Sequence, residues 1–215
     1  MEPFWKRLKA ARARIDAVAT DMSAAYIQAV RDHLGDAVHV FDHFHVIKLF
    51  NEKLSDFRRE LHREATDQLH KEVLKGTRWL LLKNPENLDP KRKERERLEE
   101  ALRMNQPLAT VYYLKEDLRQ IWDQKDKATA AQVLDDWIRR AEASCIKMLQ
   151  KFASTLAMYR TGILAYYDYR ISTGPLEGTN NKIKTMQRQA YGFRDKEFFK
   201  LKILAIHEAK YALVG

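Results

Sequence analysis

Hydrophobic positions follow two different spacings along this chain, and the change between them divides it. Near the start, Phe4, Trp5 and Leu8 recur at helical spacing, ahead of a basic stretch over residues 9–14. Residues 15–20, IDAVAT, form a short apolar run of strand type that ends at Asp21. Ser23 is placed to cap a helix whose Tyr26, Ile27, Val30 and Leu34 share one face, and Gly35 closes it. Residues 37–42, AVHVFD, read as a second strand. A strand, a helix and a strand predict a parallel αβ unit. It is only half of one, because two strands make a marginal sheet.

From residue 44 to residue 170 the spacing is helical throughout. Leu49, Leu54, Phe57 and Leu61 mark a long amphipathic helix continuing towards Leu74 and broken by Gly76. TRWLLLKN is a short apolar helix or turn stopped at Asn84 and Pro85, and PENLDP is a loop. Further helices are predicted over KRKERERLEEALRM, from Pro107 through Trp122, over KDKATAAQVLDDWIRRAEA and over IKMLQKFASTLAMYR. The last third holds the Gly–Pro cluster GPLEGTN, a helix over about residues 175–190 stopped at Gly192, and a closing helix. No fixed-period repeat is present. The expected fold class is α+β, predominantly α-helical. Three segments are expected: 1–46 as a partial αβ unit, 47–170 as a helical block and 171–215 as C-terminal helices.

Composition adds a direction to this outline. The 215 residues carry 39 Lys and Arg against 30 Asp and Glu, a formal charge of +9. That surplus favours a polyanionic partner, nucleic acid first. A single cysteine, Cys145, excludes an internal disulfide framework and reads as a small half-buried apolar residue in a helical run. Cytoplasmic localisation is expected. No apolar run is long enough for a membrane-spanning helix.

Several residues could carry chemistry. Glu177 lies just inside a helix N-terminus, where an acid also simply favours the helix dipole. Gly174 and Gly178 flank it and imply close approach of another backbone. Lys182, Lys184, Arg188 and Arg194 follow it, and a lone acid beside such a basic run suits a metal ligand at a phosphate backbone. Asp21, at a strand end beside a loop, is either a ligand of the kind α/β sites collect or a helix-capping acid. Asp16 lies five residues earlier, so on a continuous strand it faces the opposite side. Asp42, His43 and His45 crowd the next strand end; hydrogen bonding of a strand-to-helix turn explains them more simply than a zinc site does. His33, His39 and His207 read as solvated or core histidines. Trp5, Trp79, Trp122 and Trp137 read as core, Trp79 least clearly because Arg78 and Lys83 flank its segment. No P-loop, dinucleotide fingerprint, serine-nucleophile elbow or zinc signature appears.

Taken together, DMSAAYIQAVRDHL, VFDHFHVIKLFNEKLSDFRRE, GTRWLLLKNPENL and GPLEGTNNKIKTMQRQAYGFRDKEFFKLKIL resemble the DDE transposases of bacterial insertion sequences, in the group called ISL-three, related to the mutator-like transposases. The order and spacing of four motifs carry the resemblance, over about residues 4–211. It implies a partial RNase H-like core interrupted by a large helical insertion before the last acid. It implies metal-dependent DNA cleavage and strand transfer, with Mg²⁺ or Mn²⁺ held by three carboxylates. By position, Asp21 would be the second acid and Glu177 the third, both metal ligands. Asp42 and His45 match a Cys-or-Asp-x-x-His motif in a supporting role; a competing alignment makes Asp42 the second acid. Lys182, Lys184, Arg188 and Arg194 would contact DNA. The implied partners are transposon ends, target DNA, and a homo-oligomer or an intact transposase in co-assembly. No strand for the first acid is found in the sequence, so the chain is expected to be a truncated transposase, a C-terminal piece of the catalytic domain, inactive alone. The alternative is a non-catalytic basic helical module that binds DNA or another protein.

Overall fold

A computed structural model describes residues 2–12 and 14–212, with side chains from residue 4 to residue 206, residue 13 excepted. His207 falls outside those side chains. The chain forms two units, Met1–Ser172 and Thr173–Gly215.

The first unit opens with helix α1 (Glu2–Ala10), strand β1 (Ala17–Thr20), helix α2 (Ala24–His33) and strand β2 (Val38–Phe41). The strands pair in parallel, Ala17 with Val38 through Thr20 with Phe41. Both are shorter than the apolar runs foretold, and Asp16 precedes β1 rather than belonging to it. Its Oδ1 accepts a hydrogen bond from Arg14 Nε at 2.9 Å. Val40 and Phe41 are buried, because β2 packs against later helices.

Helix α3 (His43–Glu64) follows at once. Its buried stripe is Val46, Phe50, Leu54 and Arg58, four-residue steps that keep one face inward. It does not continue to Leu74. The chain leaves the helix at Ala65, and Asp67 caps a separate helix α4 (Gln68–Gly76) through His70 N–H. A residue able to bond its own following backbone offers a fresh helix start, and here it outcompetes the hydrophobic period. Between α4 and the next helix run three 3₁₀ turns, Leu80–Leu82, Pro85–Asn87 and Pro90–Arg92. Then come α5 (Glu94–Met104), α6 (Gln106–Arg119), α7 (Lys127–Ala143), α8 (Lys147–Met158) and α9 (Arg160–Leu164), with a last 3₁₀ turn at Ala165–Tyr167. Asn105 and Asp126 cap α6 and α7 by accepting from Leu108 N–H and Thr129 N–H.

The core centres on Trp137, Phe50 and Phe152, drawn from α7, α3 and α8. Lys115 on α6 is fully buried, and its ammonium donates to Leu81 O at 2.9 Å and Lys83 O at 3.2 Å. It thereby ties down the turn after α4; burial lowers its pKa. Two expectations about single side chains fail here as well. Trp79 is exposed, with the Arg78 guanidinium 4.5 Å over its ring. Cys145 is exposed at φ 57 in the joint between α7 and α8, not half-buried within a helix.

The second unit is helix α10 (Gly174–Gln189) followed by α11 (Lys196–Ala212). Tyr191 and Gly192, at φ 50 and 96, end α10 in the left-handed region, where glycine is at home. Asp195 starts α11 by accepting from Glu197 and Phe198 N–H. Among the described residues, no helix is long and apolar enough to cross a membrane.

Candidate active-site cleft

β1 runs out at Thr20, and the chain must turn before α2. Asp21 makes that turn: its Oδ1 accepts from Ser23 N–H at 2.9 Å. Ser23 itself sits at the N-cap of α2 without a side-chain bond, so Asp21 fixes the turn that leads into the helix and does not cap its first N–H groups. One oxygen is thereby fixed, and Oδ2 has no hydrogen-bond partner among the described residues. The carboxylate is half-buried and opens on a cleft of 310 Å³ lined by Asp21, Ser23, His45, Lys48 and Glu52, with Met22 and Leu49 as apolar wall. The strand end is buttressed from β2, where His39 Nε2 lies 2.6 Å from Thr20 Oγ1. Burial lowers the pKa of His39, with Arg31 adding to the effect.

Asp42 is placed quite differently. It ends β2, is 1% exposed, and its Oδ1 accepts from Phe44 N–H at 2.9 Å as the N-cap of α3. His43 Nδ1 lies 3.7 Å from Oδ1 and His45 Nδ1 lies 3.9 Å from Oδ2. The turn-bonding reading of this cluster is therefore right for Asp42. His43 turns into an aromatic nest of Phe44, Trp122 and Tyr166, and burial lowers its pKa although Asp42 and Asp123 pull the other way. His45 turns to the cleft instead. Asp42 and Asp21 thus form a pair of unlike roles: the first buried under the α3 N-terminus, the second open to solvent.

Removing the cap tests this geometry. Asp42→Ala should cost about 1 kcal/mol of first-unit stability, the usual value of an N-cap, and Asp42→Asn should cost less because the amide oxygen still accepts. Urea unfolding followed by circular dichroism reads both; equal losses would show that charge, not capping, holds Asp42 in place.

Lys48 and Glu52 were not foreseen. They follow His45 by three and seven residues, which on a helix means the same face, so that spacing was the available signal. The cleft therefore presents an open carboxylate, an imidazole, an ammonium able to pair a phosphate oxygen and a second carboxylate. Among the described residues, no group of three His, Cys, Asp or Glu converges to hold a metal ion. Asp21 fits as one ligand arm; the residues of this unit do not make a closed set.

In the second unit Glu177 stands exposed in the first turn of α10, its N–H donating to Thr173 O. A Cβ added at Gly178 would meet nothing within 4 Å, so among the described residues no other backbone lies close to that glycine. Lys182, Lys184, Arg188 and Arg194 are all exposed. Lys184 and Arg188 line a groove of 590 Å³ with Asn181, Gln187, Tyr191 and Gly192; Lys182 and Arg194 lie outside it. Tyr191, fully exposed and three residues past Arg188, is an aromatic beside two cations that the sequence reading did not single out.

A family model described as transposase, for the DDE transposases of the ISL-three group, matches residues 1–203. The chain is 41% identical over 194 residues to the transposase for insertion sequence element IS1001 of Bordetella parapertussis, covering 89% of this chain and 47% of that protein. It is 30% identical over 217 aligned positions to the transposase for insertion sequence element IS1557 of Mycobacterium tuberculosis (strain ATCC 25618 / H37Rv), covering 90% of this chain and 48% of that one. No solved structure matches. The chain spans about half the length of the curated relatives it matches. With the family model covering nearly the whole chain, the protein belongs to the DDE transposases of the ISL-three group of insertion sequences.

Proposed function

We propose that this chain supplies two of the three carboxylates of a DDE-type DNA transposition site, Asp21 and Glu177, with Asp42 and His45 in support. The observation that carries the reading is the contrast at the two strand ends. Asp42 is occupied as a buried cap, whereas Asp21 keeps one oxygen open in a cleft with His45 and Lys48. That contrast favours Asp21 over Asp42 as the second acid. In this reading β1, α2 and β2 belong to an RNase H-like core, residues 47–170 are the helical insertion, and residues 171–215 carry the last acid. The divalent ion supplied in this family's chemistry, Mg²⁺ or Mn²⁺, polarises phosphodiester oxygens when bound. The part of this chain is to hold Asp21 rigidly by its bond to Ser23, to set Lys48 beside it for a phosphate oxygen, and to present the exposed Lys182, Lys184, Arg188 and Arg194 to DNA. DNA, as transposon ends and target, is the proposed partner, within a homo-oligomer or together with an intact transposase. Two acids leave the ligand set short, so the chain alone is proposed not to cleave DNA.

Iron-directed backbone cleavage tests the assignment without requiring activity. With Fe²⁺ in place of Mg²⁺, plus ascorbate and peroxide, scission of the polypeptide is expected around residues 20–23 and to disappear in Asp21→Asn. Scission that persists in Asp21→Asn, or that centres on Asp42, would move the second acid away from Asp21.

A further inference from the structure

A second cationic groove lies in the helical part of the first unit, between α3 and α4. It measures 470 Å³ and is lined by Arg58, Arg59, His62, Lys71, Glu72 and Lys75. Arg58 sits at its inner side, 9% exposed. Its Nη1 donates to Leu74 O at 2.9 Å, and its buried Nε has no hydrogen-bond partner among the described residues. No carboxylate pairs with it among those residues.

A guanidinium usually enters a protein interior with a counter-ion, because removing a charge from water costs several kcal/mol when it is unpaired. Arg58 has instead cations as neighbours, and its pKa is lowered by burial first, then by Arg78 and Arg59. The one acid on the groove, Glu72, accepts from Gln68 Nε2 at 3.2 Å. Arg59 is tied to Asp56 on its own helix. Lys71 and Lys75, one turn apart on α4, pair with no carboxylate among the described residues. The groove thus concentrates positive charge around a planar donor group that the fold leaves short of acceptors. An anion with several oxygens supplies what is missing, and guanidinium–phosphate pairing is the strong form of that contact.

We infer that the α3–α4 groove is a second DNA-backbone site, with Arg58 as its fixed anchor and Lys71 and Lys75 as its outer contacts on a duplex phosphate run. The inference rests on the proposal that this chain works on DNA, but it places a contact in the helical insertion rather than at the cleft or on α10. Contact at two separated surfaces would set the register of a long duplex, as phosphate contacts do, without reading its sequence.

The test uses the full chain and a fluorescein-labelled 20-base-pair duplex, with binding read by anisotropy between 50 and 200 mM NaCl. Lys71→Ala/Lys75→Ala should lower the slope of log K against log salt by about 1.8, two contacts at about 0.9 each, and weaken binding at 100 mM by about tenfold or more. Lys71→Arg/Lys75→Arg, which keeps the charge, should bind as the wild type does. Lys75 is exposed and Lys71 half-buried, and neither pairs with a carboxylate among the described residues, so a nearly unchanged melting temperature should accompany the loss. An unaltered slope in the alanine pair, while Lys184→Ala/Arg188→Ala abolishes binding, would overturn the second site and leave the DNA reading in place. No salt-dependent binding by the wild type would remove both.

Discussion

Trp137→Ala should lower the stability of the first unit by about 3–5 kcal/mol, the cost of emptying a large aromatic site from a packed core. The ring is fully buried and meets Phe50 and Phe152 edge-on, with centroids 5.9 Å from each, while Phe50 and Phe152 meet each other at 4.9 Å. Its Nε1 donates to Leu114 O at 2.7 Å. One residue therefore joins α7 to α3, α8 and α6. Trp137→Phe separates the parts: it keeps much of the apolar volume and loses the hydrogen bond, worth about 1 kcal/mol by itself. Urea titration by circular dichroism would show a lower midpoint at unchanged slope. A loss under 1 kcal/mol for the alanine variant would mean that the four helices are joined elsewhere. The consequence reaches the cleft, because α3 carries Phe50 inward and His45, Lys48 and Glu52 to the cleft wall. Loosening the aromatic joint should blur the cleft before it disturbs α10, which lies in the other unit.

The sequence made the elements of this fold readable where one force acted alone. The apolar run before Asp21 has no competing helical period, and the helical spacing of Leu49, Leu54, Phe57 and Leu61 marks α3, although of these only Leu54 belongs to its fully buried stripe. Legibility failed where two local signals conflicted. The hydrophobic stripe runs on from Leu61 to Leu74, yet Asp67 starts a new helix, since a capping bond is local and a stripe can be shared by two helices at an angle. Trp79 and Cys145 were misplaced for a related reason. Each was read by residue type, but each lies in a joint between elements, where exposure is set by the path of the chain. At the candidate site, Asp21, Asp42 and His45 were legible as residues but not as roles. Which carboxylate is spent on a cap and which stays open depends on the turn each one makes. The groove with Arg58 was invisible in sequence, because an arginine at the end of an apolar stripe looks like ordinary helix surface until burial shows it facing inward.

Gly162→Ala should prove more harmful than its size implies. A Cβ at that position would lie 2.5 and 2.6 Å from two ring carbons of Phe41 and 3.1 Å from His39 O. Neither neighbour can yield easily. The carbonyl belongs to β2, and the Phe41 ring is 5% exposed, wedged between Tyr159 at 5.0 Å and His39 at 4.6 Å. Overpacking of this kind costs about 1–3 kcal/mol. The same substitution at Gly178 meets open space within α10 and should be neutral or stabilising by up to about 1 kcal/mol, because alanine is the better helix former. The opposite signs rule out a general effect of replacing glycine. Phe41 is the last residue of β2, and Asp42 behind it caps α3, so a displaced ring should shift the cap and with it His45. Amide exchange at Phe44, whose N–H is held by Asp42, reads that shift directly: exchange should quicken in Gly162→Ala and stay unchanged in Gly178→Ala. If Gly162→Ala leaves both the unfolding midpoint and the Phe44 amide untouched, then the close seat of α9 on β2 is not what fixes the second strand end, and the cleft must owe its shape to α3 and the turn at Asp21.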